Sequence, residues 1–422
     1  MSFRGDVQGS MLPTFAQCSV PIRPPRLNFI RRYAWVWVMC FCFFVFCTME
    51  SHVPGPPEAI VKYHLQGRKI MIAANYYNNA DILPTHIDEM FVLIKALQKA
   101  GATPYISVYE NGSKDNTPNQ LKTWKHTLDL IGVGSTIFID SAPSWNDVYE
   151  ELEAKTSESS ASAIEDEISF RIRFMADIRN KALAPLDGSF DDILFFNDVI
   201  FKAEDILRLL LTSDMQYDVV CSMDFNRITL YDTWVARDVN AERMSSLYPY
   251  SADFATAKLI SEGRPFLVSS CWNGVVAMKA APFVKHSIQF RTWRQQEPRI
   301  LGRPGALLDV VYDSDCPASE CLLIFEDLFR VGYNRFYMHP TVHVTYSSLD
   351  WVLHSIFGGM LNKLSLWVFT LHSHGRIPPG HRIPQCGLAR DVSFQTWFQL
   401  IILCIIAFRA LRWIRRGKLA IE

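Results

Sequence analysis

Three short clusters in this chain combine amides with carboxylates. "NYYNNADILP" carries Asn75, Asn78, Asn79 and Asp81, and "YENGSKDNT" carries Glu110, Ser113, Asp115 and Thr117. Asn197-Asp198 interrupts the apolar run of "DDILFFNDVIF". Amides and carboxylates can grip a base and a ribose, and a carboxylate can hold a divalent cation that neutralises a diphosphate. The same residue types also make ordinary turns, because their short side chains bond nearby backbone. One cluster by itself reads as a turn. Three clusters at the ends of apolar runs point to a nucleotide-binding rim.

The elements that must position these residues can be read from periodicity. "KIMIAANYY", "TPYISVYE" and "STIFID" read as strands. Between them, "ILPTHIDEMFVLIKALQKAG" and "QLKTWKHTLDLIG" read as helices, the first with Pro84 near its start and Gly101 as its stop. A serine-containing acidic stretch, 141–167, reads as a surface insertion with solvated charges. The helix "SFRIRFMADIRNKALAP" follows, then the strand that ends on Asp198. "YDVVCSMDF" reads as a strand closing on Asp224, and "FLVSSCWNGVVAMKAAPF" as a strand pair around an Asn-Gly turn. "SECLLIFEDLFRVG" is a helix stopped by Gly332, and "FYMHPTVHVTY" a late strand. This alternation predicts an α/β fold of Rossmann type, a mainly parallel sheet with helices on both faces. Ligands of such sheets sit beyond the carboxyl ends of the strands, where the three clusters fall.

Composition bounds the partners. The chain has 422 residues, 49% of them apolar, and a net charge of −1. That balance argues against nucleic acid as the main partner, because binding phosphate backbones requires a basic excess. "YAWVWVMCFCFFVFCTM", residues 33–49, is free of charge and spans about 25 Å as a helix. Arginines precede it at 23, 26, 31 and 32, which puts the N-terminus on the cytosolic side and the rest in the lumen. The expected organisation is a cytosolic tail (1–32), a membrane anchor (33–49), a proline-containing stem (50–68) and a catalytic domain (69–350). A C-terminal extension (351–396) and an apolar-basic helix (397–422) follow. That last helix either lies in the membrane interface or forms a second span. Ten cysteines show no zinc spacing, and one or two disulfides fit an oxidising lumen.

The ordered set "IAANYYNNADILP", "FFNDVIF", "LYDTWVARDVNA", "SCWNGVVAMKAAPF", Phe290-Arg291, "SECLLIFEDL" and "PTVHVTY" resembles the fungal capsule-associated α-1,3-mannosyltransferase family, glycosyltransferase family 69. The resemblance covers roughly residues 70–346. It implies a GT-A-like fold, a GDP-mannose donor, a mannose-containing glycan acceptor and a Golgi or ER membrane location as a single-pass type II protein. It also implies a divalent cation, Mn2+ or Mg2+.

Carried onto this sequence, the resemblance implies donor contacts at Asn75, Asp115, Arg179, Asn180 and Asn197. It places Asp198 at the metal or diphosphate, with His343 as a further metal ligand. Glu320 and Arg291 are its catalytic candidates, Arg291 stabilising the departing diphosphate. Trp272, Asn273, Gly274 and Asp232 are expected in the sugar or acceptor pocket. The general Asp-x-Asp pattern is here Asn197-Asp198-Val199, so valine occupies the usual last chelating position. Asp224, Glu320 or His343 could supply the missing ligand. Trp234 and Trp272 can stack on sugar faces, and each residue also has a plainer use: Glu320 as a helix-start acid, His343 as a strand histidine, Arg291 as a surface cation, Trp234 and Trp272 as packing. Asn111-Gly112-Ser113 is a glycosylation sequon inside the nucleotide loop and is expected to stay unmodified. The competing functional readings are another donor on the same fold, a non-catalytic lumenal binder, and a membrane adaptor.

Overall fold

The structure is a computed structural model, and it describes residues 53–140, 161–292 and 318–355. Among them, α1 (Glu58–Leu65) leads into β1 (Lys69–Tyr76), α2 (Leu83–Lys99), β2 (Thr103–Asn111), α3 (Thr117–Leu130) and β3 (Ser135–Asp140). After α4 (Ala161–Ala182) come β4 (Asp192–Phe196), α5 (Ala203–Leu210), β5 (Val219–Asn226) and β6 (Thr229–Leu230). The chain continues through α6 (Phe254–Ser261), β7 (Phe266–Leu267), β8 (Val275–Lys279), α7 (Ala281–His286), α8 (Glu320–Arg330) and β9 (Phe336–Thr345).

The sheet runs β3-β2-β1-β4-β8-β5-β9-β7, with β6 beside β5. Strands β1 to β4 pair in parallel, and β5 pairs in parallel with β9. Strand β8 lies antiparallel between β4 and β5, so those two neighbours point the same way. The carboxyl ends of β1, β2, β3, β4, β5 and β9 therefore share one edge. The amino end of β8 comes to the same edge from the opposite direction.

Strands β1 and β4 are almost wholly apolar because helices cover both faces of the sheet. Ile70, Ile72 and Ala74 pack with Met90, Leu93, Ile94 and Leu97 of α2 and with α1, α3 and α5. Met71 and Ala73 face the other way, toward Ile172 and Ala176 of α4 and toward α8. Leu194 and Phe196 against Ile193 and Phe195 repeat the alternation in β4. A strand has a period of two, so each residue type is committed to one layer.

Three expectations change. Phe266–Leu267 and Val275–Lys279 do not form a hairpin: β7 pairs with β9, while β8 pairs with β4 and β5. Gly274 has φ +80°, and a Cβ there would lie 2.3 Å from Val344 Cγ2. It is a point of close backbone approach, not a hairpin turn. The acidic insertion is shorter than expected, because α4 is already helical at Ala161; residues 141–160 lie outside the described ones. The sheet, expected to be mainly parallel, has as many antiparallel as parallel pairings, the antiparallel ones made through β6, β7 and β8.

Among the described residues no helix is long and apolar enough to cross a membrane. The expected anchor at 33–49 and the C-terminal helix at 397–422 lie outside the described residues, as does most of the 351–396 extension. Asn111 is 4% exposed at the end of β2, which fits an unmodified sequon.

Cys221 of β5 is bonded to Cys271, which leads into β8, across a separation of 50 residues. Closing a loop of that size removes unfolded-state entropy equivalent to about 4 kcal/mol. A Cys221→Ala, Cys271→Ala double variant is expected to lose stability of about that size in urea unfolding. Wild-type protein under strong reductant should approach the variant's midpoint.

Candidate functional site

The turn after β4 is held from every side. Asn197 donates its backbone N–H to Gly274 O at 2.8 Å, and Val199 N–H closes on Asn197 O at 2.9 Å. Ile200 and Thr345 exchange backbone bonds of 2.7 and 3.1 Å, joining the turn to the end of β9. From below, His86 Nδ1 lies 2.7 Å from Val199 O, and its Nε2 lies 2.8 Å from Tyr76 Oη. Burial pushes His86 down to about 4, so the ring is neutral at physiological pH. A carbonyl only accepts, which assigns the ring proton to Nδ1 and leaves Nε2 to accept from the tyrosine hydroxyl. Val199 itself is fully buried, and a Cβ on Gly274 would touch its Cγ1 at 3.4 Å. The third position of the motif faces the core, which explains an apolar residue there.

Asp198 Oδ2 accepts from Asn79 Nδ2 at 2.8 Å. Asn79 is fixed in turn by Tyr77 N–H at its Oδ1 (2.7 Å) and by its own N–H donated to Thr117 Oγ1 (2.8 Å). Asn78 N–H reaches Ser113 Oγ at 2.9 Å, and Lys114 N–H reaches Asn78 Oδ1 at 2.8 Å. Asp115 accepts from Ala80 N–H and Thr117 N–H, each at 2.9 Å. Slight burial works to raise Asp115, but these bonds outweigh it and hold the carboxyl below the usual range. The loops after β1, β2 and β4 are thus one bonded assembly.

Arg179, near the end of α4, sits beneath this assembly at 8% exposure. Its Nε donates to Glu320 Oε1 at 3.0 Å. Its guanidinium carbon lies 4.9 Å from the Trp272 ring centroid and 5.5 Å from that of Phe195. Glu320 opens α8 and is also bonded by Ser319 Oγ at 3.0 Å, with Cys321 Sγ at 3.3 Å. Burial raises Asp198, against a downward pull from Asn79 and Arg179. Burial likewise raises Asp232, whose Oδ1 is bonded by Trp234 N–H (3.0 Å) and Val235 N–H (3.2 Å). Burial, reinforced by Asp232, pushes Asp224 up to about 7. Asp224 accepts from Asn273 Nδ2 at 2.7 Å and from Tyr346 Oη at 2.8 Å. Glu320, Asp232 and Asp198 therefore feel one guanidinium, and Asp224 stands beside Asp232.

Several expected site residues serve this assembly indirectly. Trp272 is 2% exposed and lies against Arg179, so it packs the guanidinium and offers no open face to a sugar. Asn273 is fully buried and spends its amide on Asp224 Oδ1 and Asp232 O (2.9 Å). Asn75 Nδ2 donates to Ile178 O at 2.8 Å, fixing α4 one residue before Arg179. Its Oδ1 is buried with no partner among the described residues. Asn180 does not stand at the rim: its amide clasps Phe290, with Nδ2 to O at 2.8 Å and Oδ1 to N–H at 2.9 Å.

Arg291 does not face the acids described above. It forms a two-pronged pair with Asp327, at 2.7 and 2.9 Å, on the flank of α8. His343 has Nε2 2.7 Å from Pro340 O and Nδ1 3.1 Å from His354 Nε2. Both nitrogens are engaged within the fold, away from metal ligation. Tyr346 and His86 were not anticipated. The only sequence cue for Tyr346 was its place just past the last strand.

Carboxylate oxygens suit a hard divalent cation. Among the described residues, however, no three His, Cys, Asp or Glu side chains converge to cage one. Asp198 is the carboxylate that would hold such a cation, which would supply positive charge to a diphosphate.

A mainly co-directional sheet whose strand ends carry this acid-rich rim agrees with the GT-A-like fold that the order of motifs implies. The model of the family described as Cryptococcal mannosyltransferase 1 matches residues 69–327, and the chain belongs to that family. It is 26% identical over 313 residues to an alpha-1,3-mannosyltransferase of Cryptococcus neoformans var. neoformans serotype D, covering 68% of this chain and 59% of that relative. The chain thus spans less than two thirds of the length of the curated relative it matches. Among solved structures it is similar to glucosyl-3-phosphoglycerate synthase from Mycobacterium tuberculosis in complex with Mn2+, UDP-glucose and phosphoglyceric acid. That match has 14% identity and a TM-score of 0.34, covering 77% of this chain and 88% of that one. The same enzyme with Mg2+ and UDP gives 14% identity and a TM-score of 0.34, covering 77% and 87%.

Two predictions follow from the site. Arg179→Ala strands the buried Glu320 charge and is expected to cost about 3–5 kcal/mol in urea unfolding. An Arg179→Met, Glu320→Gln double variant should recover a large part, because the unpaired charge is gone. The second concerns pH. Burial pushes Glu326 of α8 up to about 7, as it does Asp224. Both bind a proton more tightly folded than unfolded, so their contribution to stability is complete below about pH 4 and is lost as pH rises through about 7. The melting temperature is expected to fall between pH 5 and pH 8, and Glu326→Gln should flatten that slope.

Proposed function

We propose that the chain transfers mannose from GDP-mannose to a mannose-containing glycan and forms an α-1,3 link with retention, on a GT-A-type fold. The observation that carries this is the charge balance of the rim. Asp198, Asp232 and Glu320 gather around Arg179, whose own charge is paired with Glu320. A rim this acidic repels a diphosphate unless a divalent cation stands between them. A nucleotide sugar arriving with Mn2+ or Mg2+ supplies the missing charge. The name of the Cryptococcus relative supports mannose as the sugar and α-1,3 as the linkage. The sugar of GDP-mannose is already α-linked, so an α product means net retention.

In this reading Asp198 holds the cation, and Asn79 orients Asp198. When bound, the cation neutralises charge that builds on the departing diphosphate. Asn75 and Asn197 border the donor, and Asp115 keeps the nucleotide loop closed. Arg179 contributes fixed positive charge that needs no reorganisation as the bond breaks. Glu320 keeps that guanidinium in place and leaves the anomeric carbon to the substrates. The buried Cys221–Cys271 disulfide supports a lumenal, oxidising location, which agrees with a Golgi or ER type II arrangement anchored through 33–49.

The test is transfer by the purified chain with a panel of nucleotide sugars and mannosides, read by product mass and linkage, with and without EDTA. GDP-mannose is expected to be the active donor, and EDTA to abolish transfer. Asp198→Ala should lower kcat by about 100-fold or more. Full activity in EDTA would remove the cation, and transfer from a UDP-sugar alone would replace the donor.

A further inference from the structure

We propose that the loop Tyr231-Asp232-Thr233-Trp234 is the acceptor subsite, where a pyranose ring lies on Tyr231 and Trp234 while one of its hydroxyls donates to Asp232. This rests on reading the chain as a mannosyltransferase. Tyr231 is 55% exposed and Trp234 44% exposed, two large rings within four residues and on either side of a carboxylate.

The loop is rigid. Tyr231 N–H donates to Asp224 O at 3.0 Å, and Asp232 N–H to Asp224 Oδ1 at 3.2 Å. Thr233 N–H returns to Tyr231 O at 3.0 Å. Asn273 Nδ2 holds Asp232 O at 2.9 Å, and Arg243 Nε holds Thr233 O at 2.8 Å. A preorganised loop loses little entropy when a ligand settles on it. It also adjoins the acid-rich rim. The Tyr231 ring lies 4.8 Å from that of Tyr346, whose hydroxyl bonds Asp224.

The chemistry selects the occupant. Asp232 Oδ1 takes two backbone N–H groups, and among the described residues no hydrogen bond reaches Oδ2. A lipid chain or an apolar protein face lying across these rings would desolvate that oxygen without replacing its bonds. A pyranose meets both demands. Its C–H face suits the electron-rich face of an aromatic ring, and its hydroxyls donate to a carboxylate.

The experiment measures steady-state transfer and saturation-transfer NMR contact with mannobiose in the whole protein. In Tyr231→Ala and Trp234→Ala the KM for mannoside acceptor is expected to rise by about ten-fold, while the KM for donor stays within about twofold. Tyr231→Phe and Trp234→Tyr keep a ring and should restore the acceptor KM, which loss of folding in the alanine variants could not imitate. The NMR contact should be present in wild type and in the ring-keeping variants, and lost in the alanine variants. Unchanged acceptor KM and NMR contact in both alanine variants, or no mannobiose contact in wild type, overturns the proposal. Ring-dependent mannobiose contact in a protein that transfers no sugar would overturn the mannosyltransferase reading and leave the subsite standing.

Discussion

The buried pair between Arg179 and Glu320 is the contact on which the site depends. It joins the end of α4 to the start of α8, through residues 141 positions apart in the chain on helices that lie on the same face of the sheet. A guanidinium at this depth is tolerable only because a carboxylate and aromatic faces surround it. Trp272 and Phe195 supply those faces, and Asn180 clasps Phe290 immediately beside them. Residues expected to touch substrate thus hold a charge in place for others to use.

The pair also leaves the rim with an unspent surplus of acid. Arg179 answers Glu320, while Asp198, Asp224 and Asp232 remain, each lifted by burial. Raised acids that the fold does not neutralise mark a place prepared for something positive. The proposed cation meets that demand at Asp198. At Asp224, part of the demand is met by Asn273 and Tyr346 donating to its two oxygens.

Much of the first half of the fold was legible in sequence. Strands β1 to β3 are separated by helices whose stops, such as Gly101 with φ +83°, lie where backbone φ must turn positive. The convergence of three polar clusters followed from parallel order alone. The second half was less legible because its pairings are not local. Nothing near Asn273-Gly274 says that β8 will enter between β4 and β5. Arg291 finds Asp327 36 residues away, a partner that spacing cannot reveal. Val199 looked like a lost ligand and proved to be a core residue, since the turn aims its third side chain inward. Asp232 was legible as a polar pocket residue and Trp234 as a ring able to stack on a sugar, but Tyr231 gained meaning only from its exposure.

The bonds from Asp115 to Ala80, from Asn78 to Ser113 and Lys114, and from Asn79 to Asp198 have an evolutionary consequence. The three strand-end loops cannot drift independently. A substitution in one loop alters the seat of the acid in another. Divergence among relatives should therefore proceed in correlated steps. A chimaera that exchanges 75–81 without 110–117 and 197–199 mixes halves of two different fittings.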